Sequence, residues 1–90
     1  MEIRFTSAAR WQFRAALEAL RRRSLDAAVA LCRDAEAALR DPATLVESGA
    51  ALPEFPDIPF REIVLASYRF FFRTEGQTVW IGGVWNGLEE

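Results

Sequence analysis

The stretch YRFFFRTEGQTVWIGGVWNG, residues 68–87, sets two aromatic-rich runs on either side of Glu75-Gly76. Apolar runs flanking a glycine that can take positive φ predict a β-hairpin, with strands over 68–74 and 77–85. Side chains alternate across a strand, so Arg69, Phe71 and Arg73 share one face while Tyr68, Phe70 and Phe72 share the other. The aromatic face suits a core. The face that interleaves guanidinium groups with a ring suits either a groove for a partner's acidic, apolar segment or a solvated surface whose arginines pair with nearby acids. Gly82-Gly83 predicts a bulge or a close backbone approach in the last strand. Trp80 and Trp85 differ in parity and are expected on opposite faces.

Working outward, residues 60–66 form a further strand before the hairpin. At the other end, Ile3 and Phe5 alternate with charged neighbours, which predicts a short first strand over 2–5. Thr6 or Ser7 then offers a cap oxygen to the free N–H groups of a helix start. Ala9, Phe13, Ala16, Leu17 and Leu20 share one face of that helix, which runs to Arg23. Arg21, Arg22 and Arg23 sit in its last turn, where positive charge opposes the helix dipole. Ser24 caps a second helix, with Leu25, Ala28, Leu31, Cys32, Ala35 and Leu39 on its apolar face, and Asp41-Pro42 stops it near Arg40. So short a connection predicts an antiparallel helical hairpin. Residues 42–59 hold all four prolines and Gly49, which predicts a long connecting loop without a helix. The expected class is α+β, a single domain over 1–90 in the order β-α-α-β-β-β. Its helical hairpin packs on one face of a mainly antiparallel sheet.

Composition narrows the chemistry. Ninety residues, 51% hydrophobic and 27% charged, describe a globular chain with one modest core. There is no histidine, no lysine and a single cysteine, which excludes a disulfide framework and zinc sites built from cysteine and imidazole. Neither a metal nor a cofactor is expected. No apolar run is long enough to cross a bilayer and the first residues lack the order of a signal peptide, so a soluble cytoplasmic protein is expected. The net charge of −2 is unevenly spread. Six arginines in residues 1–23 face only Glu2 and Glu18, whereas acids outnumber arginines in the rest of the chain. A chain of this balance is not expected to grip DNA strongly on its own.

The order of elements and the quoted residues resemble the RelE/ParE superfamily of type II toxin–antitoxin toxins over nearly the whole chain. IRFTSAA, residues 3–9, looks like the family's opening strand and cap. The alanine-rich second helix ending in LRDP, residues 39–42, looks like its helix-to-loop transition. REIVLASYRFFFRTEGQTVWIGGVWNG, residues 61–87, is similar to its Arg-Glu-Ile strand, its Tyr-Arg strand and its closing hydrophobic strand. The resemblance implies a cognate antitoxin as partner. It also implies one of two targets: DNA gyrase for ParE-like members, or ribosome-bound messenger RNA for RelE-like nucleases.

The residues weigh differently on the two activities. Cleaving RNA through its own 2′-hydroxyl needs a base, an acid and positive charge for the developing phosphorane, and proton shuttles work best with a pKa near the working pH. Glu62 is the candidate base, and Arg69, Arg61 or Arg73 would stabilise the phosphate. RelE-like nucleases carry basic, histidine or tyrosine residues after the last strand, and Trp85-Asn86-Gly87-Leu88-Glu89-Glu90 departs from that pattern. A ParE-like toxin acting by contact is therefore the favoured reading, a nuclease the alternative, and a non-toxic binding or regulatory relative the third. Arg69, at the family's Tyr-Arg position, is the leading functional residue. Phe71, Arg73, Trp85 and the off-stripe Trp11 join it as candidate partner-binding residues. Arg61, Glu62 and Arg69 form the catalytic set only under the nuclease alternative. Arg10, Arg14 and Arg21 make a ridge on the first helix that is either solvated or meets an acidic partner. Cys32 is expected to be core.

Overall fold

The computed structural model describes residues 1–87. The expectation concerning the tail at Leu88-Glu89-Glu90 lies outside the described residues. The elements are β1 (Glu2–Phe5), α1 (Ser7–Arg23), α2 (Leu25–Ala38), α3 (Pro42–Ser48), β2 (Ala50–Ala51), β3 (Arg61–Leu65), β4 (Tyr68–Glu75) and β5 (Thr78–Asn86). One mixed sheet has the order β1-β5-β4-β3-β2. β1 runs parallel to β5, and the other neighbours are antiparallel. The α+β architecture is the expected one, with a helical hairpin on one face of the sheet.

The helices start where side-chain oxygens replace missing backbone acceptors. Thr6 accepts from Ala9 N–H, and Ser24 accepts from Ala27 N–H. Ser24 also ends α1, its own N–H donating to the Leu20 carbonyl. One residue thus closes one helix and opens the next, which folds α2 back against α1. Ala9 and Ala16 of α1 and Ala28, Leu31 and Ala35 of α2 are buried. Leu25, expected on the apolar stripe, is 64% exposed at the start of α2, before the hairpin closes over it. Cys32 is half-buried between the helices and is not enclosed core.

Residues 42–59 depart from the expected loop. Pro42 does not break a helix here but opens one. Asp41 accepts from Ala43 N–H and from the Thr44 hydroxyl, and proline at the first helical position loses no hydrogen bond. Leu45 of α3 is buried in the core. Gly49 ends α3 against the ring of Phe72, where a Cβ would lie 2.3 Å from Cζ, and Ala50-Ala51 then pair with β3. Only 52–60 remains irregular.

The core lies between the helices and one sheet face. Phe70 and Phe72 are 0% and 1% exposed, Tyr68 is buried beside them, and Val79, Ile81 and Val84 of β5 face the same side. Each such phenylalanine contributes about 2–3 kcal/mol by leaving water. Phe13 links helix to sheet, its ring edge-on to Phe70 at 5.8 Å.

Candidate functional site

The outer face of the sheet carries the site. Val64 stands opposite Arg69 and Glu62 opposite Phe71 across β3 and β4, so these four share that face. On the other side of β4, Arg69 faces Trp85, Phe71 faces Gly83 and Arg73 faces Trp80. The register slips between Phe71 and Phe72, where Gly82 is the extra residue of a bulge. That insertion corrects the expected placement of the tryptophans. Trp80 and Trp85 differ in number parity, yet both stand on the arginine face because the bulge shifts the alternation between them. The buried positions of β5 change phase accordingly, from Val79 and Ile81 to Val84.

Segment 52–60 arches over this face. Its ends are held by buried Leu52 and by Phe60, whose ring lies against the bulge; a Cβ on Gly82 would come within 3.2 Å of it. Between segment and sheet lies an open cleft of about 370 Å³. Its walls include Phe55, Ile58, Phe60, Phe71 and Trp85, with Arg69 and Glu54 as charged groups. Phe71 and Trp85 meet edge-on at 5.1 Å, and Phe55 and Trp85 remain 61% and 57% exposed. Gln12 of α1 closes one end by accepting a hydrogen bond from Val84 N–H at 2.8 Å. It does so on the edge of β5 beyond the last pair with β1, Phe5 and Ile81.

Arg69 is held on both edges of its guanidinium. Nε and Nη2 donate to Glu62 at 2.7 and 3.2 Å, and Nη1 and Nη2 donate to Glu54 at 2.8 and 2.9 Å. Its charge centre also sits 5.0 Å from the Phe71 ring centroid. The Arg69 guanidinium beside Glu54 pulls that carboxyl down to about 2, and the Glu54 backbone N–H adds to the effect. Arg69 is raised above its ordinary value in return, first by Glu54 and then by Glu62. Two carboxylates thus hold one guanidinium, and the cluster carries one net negative charge.

The other candidate residues are distributed as follows. Arg73 pairs with Glu75 and lies 5.8 Å from the Phe60 ring centroid, in a neighbouring recess with Trp80. Phe60 borders both hollows, so the expected row of Arg69, Phe71 and Arg73 is divided. Arg61 stands opposite Phe72, on the face away from Glu62 and Arg69, and donates to the Gly49 carbonyl at 3.4 Å. Arg61, Glu62 and Arg69 are therefore not assembled around one point. Trp11 is 72% exposed on α1 and does not line the cleft. On the ridge of α1, Arg21 pairs with Glu18 at 2.9 Å, while Arg10 and Arg14 border a shallow groove between the helices.

Residue-level reading did not single out Glu54, Gln12, Phe55, Ile58 or Phe60. Glu54 and Phe55 sit among prolines in an irregular segment, where no periodicity predicts facing; only the excess of apolar residues in 52–60 over an ordinary loop hinted at coverage. Among the described residues, no cluster of three or more acidic or cysteine side chains is placed to hold a metal ion. No helix among them is long and apolar enough to cross a membrane. The cleft offers apolar walls and one guanidinium paired to two carboxylates.

No protein-family model matches the sequence, and no curated protein does. Among solved structures, a chain of the chromosomal ParDE TA system from P. aeruginosa is similar to it. That match has a TM-score of 0.65 and 18% identity, and covers 96% of this chain and 95% of the other. At that identity the likeness establishes a shared fold.

Proposed function

We propose that this chain is the toxin of a type II toxin–antitoxin pair, of the ParE kind, that acts by binding DNA gyrase and is silenced by a cognate antitoxin. The observation that carries the reading is the end-to-end likeness to a chain of a ParDE system. The chemistry of the cleft favours contact over cleavage. Arg69, the best candidate to stabilise a phosphorane, is already neutralised by Glu54 and Glu62. Arg69, Phe71 and Trp85 are the proposed contact residues in the cleft, with Arg73 in the adjoining recess and Trp11 as a separate exposed anchor. Exposed aromatic side chains beside an arginine match the composition of protein-binding hot spots.

Inducing the chain alone in a bacterial host tests this. Filamentation with a DNA-damage response is the expected result. Rapid arrest of translation with cleaved messages would replace gyrase with the ribosome as target. Unimpaired growth at confirmed expression would sink the toxin reading.

A further inference from the structure

The two carboxylates on Arg69 are not equivalent. Glu62 projects from β3, and its side chain is only 13% exposed. Glu54 projects from the irregular segment 52–60, and its side chain is 50% exposed. Glu62 takes the Nε edge of the guanidinium, while Glu54 takes the outer Nη edge in the two-pronged geometry that any carboxylate would use there. Internal backbone hydrogen bonds of the segment span Phe55 to Leu52 at 3.2 Å and Ile58 to Phe55 at 3.4 Å, both long. The contact between Glu54 and Arg69 therefore fastens the segment two residues beyond its buried Leu52 anchor, leaving 55–59 to span the cleft toward Phe60.

We infer that Glu54 is a self-ligand standing where a partner's carboxylate binds. The cleft then accepts a peptide segment that presents Asp or Glu beside an aromatic or large aliphatic side chain. The acid takes the outer edge of Arg69 as Glu54 swings away, and the apolar side chain enters between Phe55, Phe71 and Trp85. Charge supports this occupant over others. Exchanging one carboxylate for another leaves the local charge unchanged. A dianionic phosphate would meet the retained Glu62, and a basic segment would gain Glu54 only by breaking the fork. The inference rests on the reading of this cleft as a polypeptide-docking surface.

Peptide-display selection against the wild-type chain, Glu54→Gln and Arg69→Gln tests the exchange without reading growth, so a failed toxin reading would leave its result intact. Selection on Glu54→Gln is expected to enrich peptides with an acid within a few residues of an aromatic. Those peptides should bind Glu54→Gln about tenfold tighter than wild type by calorimetry, and Arg69→Gln should lose them. Replacing the peptide's acid by its amide should weaken binding to the wild-type chain as well, a readout that needs no change in the protein. Peptides without acidic enrichment, equal affinity for wild type and Glu54→Gln, or preferential capture of a short RNA oligonucleotide by Glu54→Gln would each overturn the inference.

Discussion

Glu54 and Arg69, fifteen residues apart in the chain, meet in a pair of near-parallel hydrogen bonds of 2.8 and 2.9 Å. That contact fixes the longest irregular segment of the described residues over the sheet face opposite the helical hairpin. Because it joins a loop to a strand, its loss should loosen the loop without melting the sheet.

The contact should respond to acid. The hydrogen bonds from Arg69 hold the folded Glu54 carboxyl down to about 2, against an ordinary value of 4.5. Its stabilisation is thus complete above the ordinary value and is lost as pH falls from there through the folded value. Denaturant unfolding between pH 6 and pH 2.5 should show a steeper loss for the wild-type chain than for Glu54→Gln. Parallel curves would mean that the pairing does not contribute in solution.

The two faces of β4 should separate stability from binding. Phe70→Ala removes a ring with 0% exposure and should cost about 3–5 kcal/mol. Phe71→Ala, in the half-buried cleft wall, should cost about 1 kcal/mol or less of stability and reduce growth arrest at equal expression. Equal thermal destabilisation by both would contradict the assignment of core and cleft.

Ala66 and Ser67 both adopt positive φ, 48° and 72°, in the tight turn between Leu65 and Tyr68. Side chains with a Cβ pay about 1 kcal/mol or more there, and the turn prefers Asn-Gly. Ala66→Asn with Ser67→Gly should therefore stabilise the chain by about 1–2 kcal/mol, read as a raised denaturation midpoint. An unchanged or lowered midpoint would show that the observed turn is not the one populated.

Gly49 and Gly76 should differ in how they resist alanine. At Gly49 the new methyl group would meet the buried Phe72 ring, which has no room to retreat, and a loss of about 2–3 kcal/mol is expected. At Gly76 nothing lies within 4 Å and only the positive φ of 60° opposes the change, so about 1 kcal/mol is expected. Thermal melts of the two variants check the order.

Much of this architecture was readable from local patterns. Alternation in residues 68–73 separated Phe70 and Phe72 from Arg69 and Phe71 because a strand has only two sides. Thr6 and Ser24 marked helix starts because capping is a short-range effect. The Asp41-Pro42 pair has two local meanings, since proline breaks a helix interior but suits its first turn, and an Asp before it can end one helix or cap the next. Parity put Trp80 and Trp85 on opposite sides because it counts residues, and a bulge adds one that pairs with nothing. The pairing of Glu54 with Arg69 has no local signature, since it depends on how an irregular segment crosses a finished sheet.

The extra residue at Gly82 works like a reading-frame shift written in three dimensions. Downstream of it, every side chain of β5 trades inside for outside. Excising one glycine of the 82–83 pair would bring Trp80 and Trp85 to the same parity, so unbroken alternation would keep both outside and Val84 inside, and what would be lost is the bulge against which the Phe60 ring lies. Two tryptophans five residues apart thus share one side of this small protein only because a residue between them pairs with nothing, a property of the spacing that substitution scans would miss.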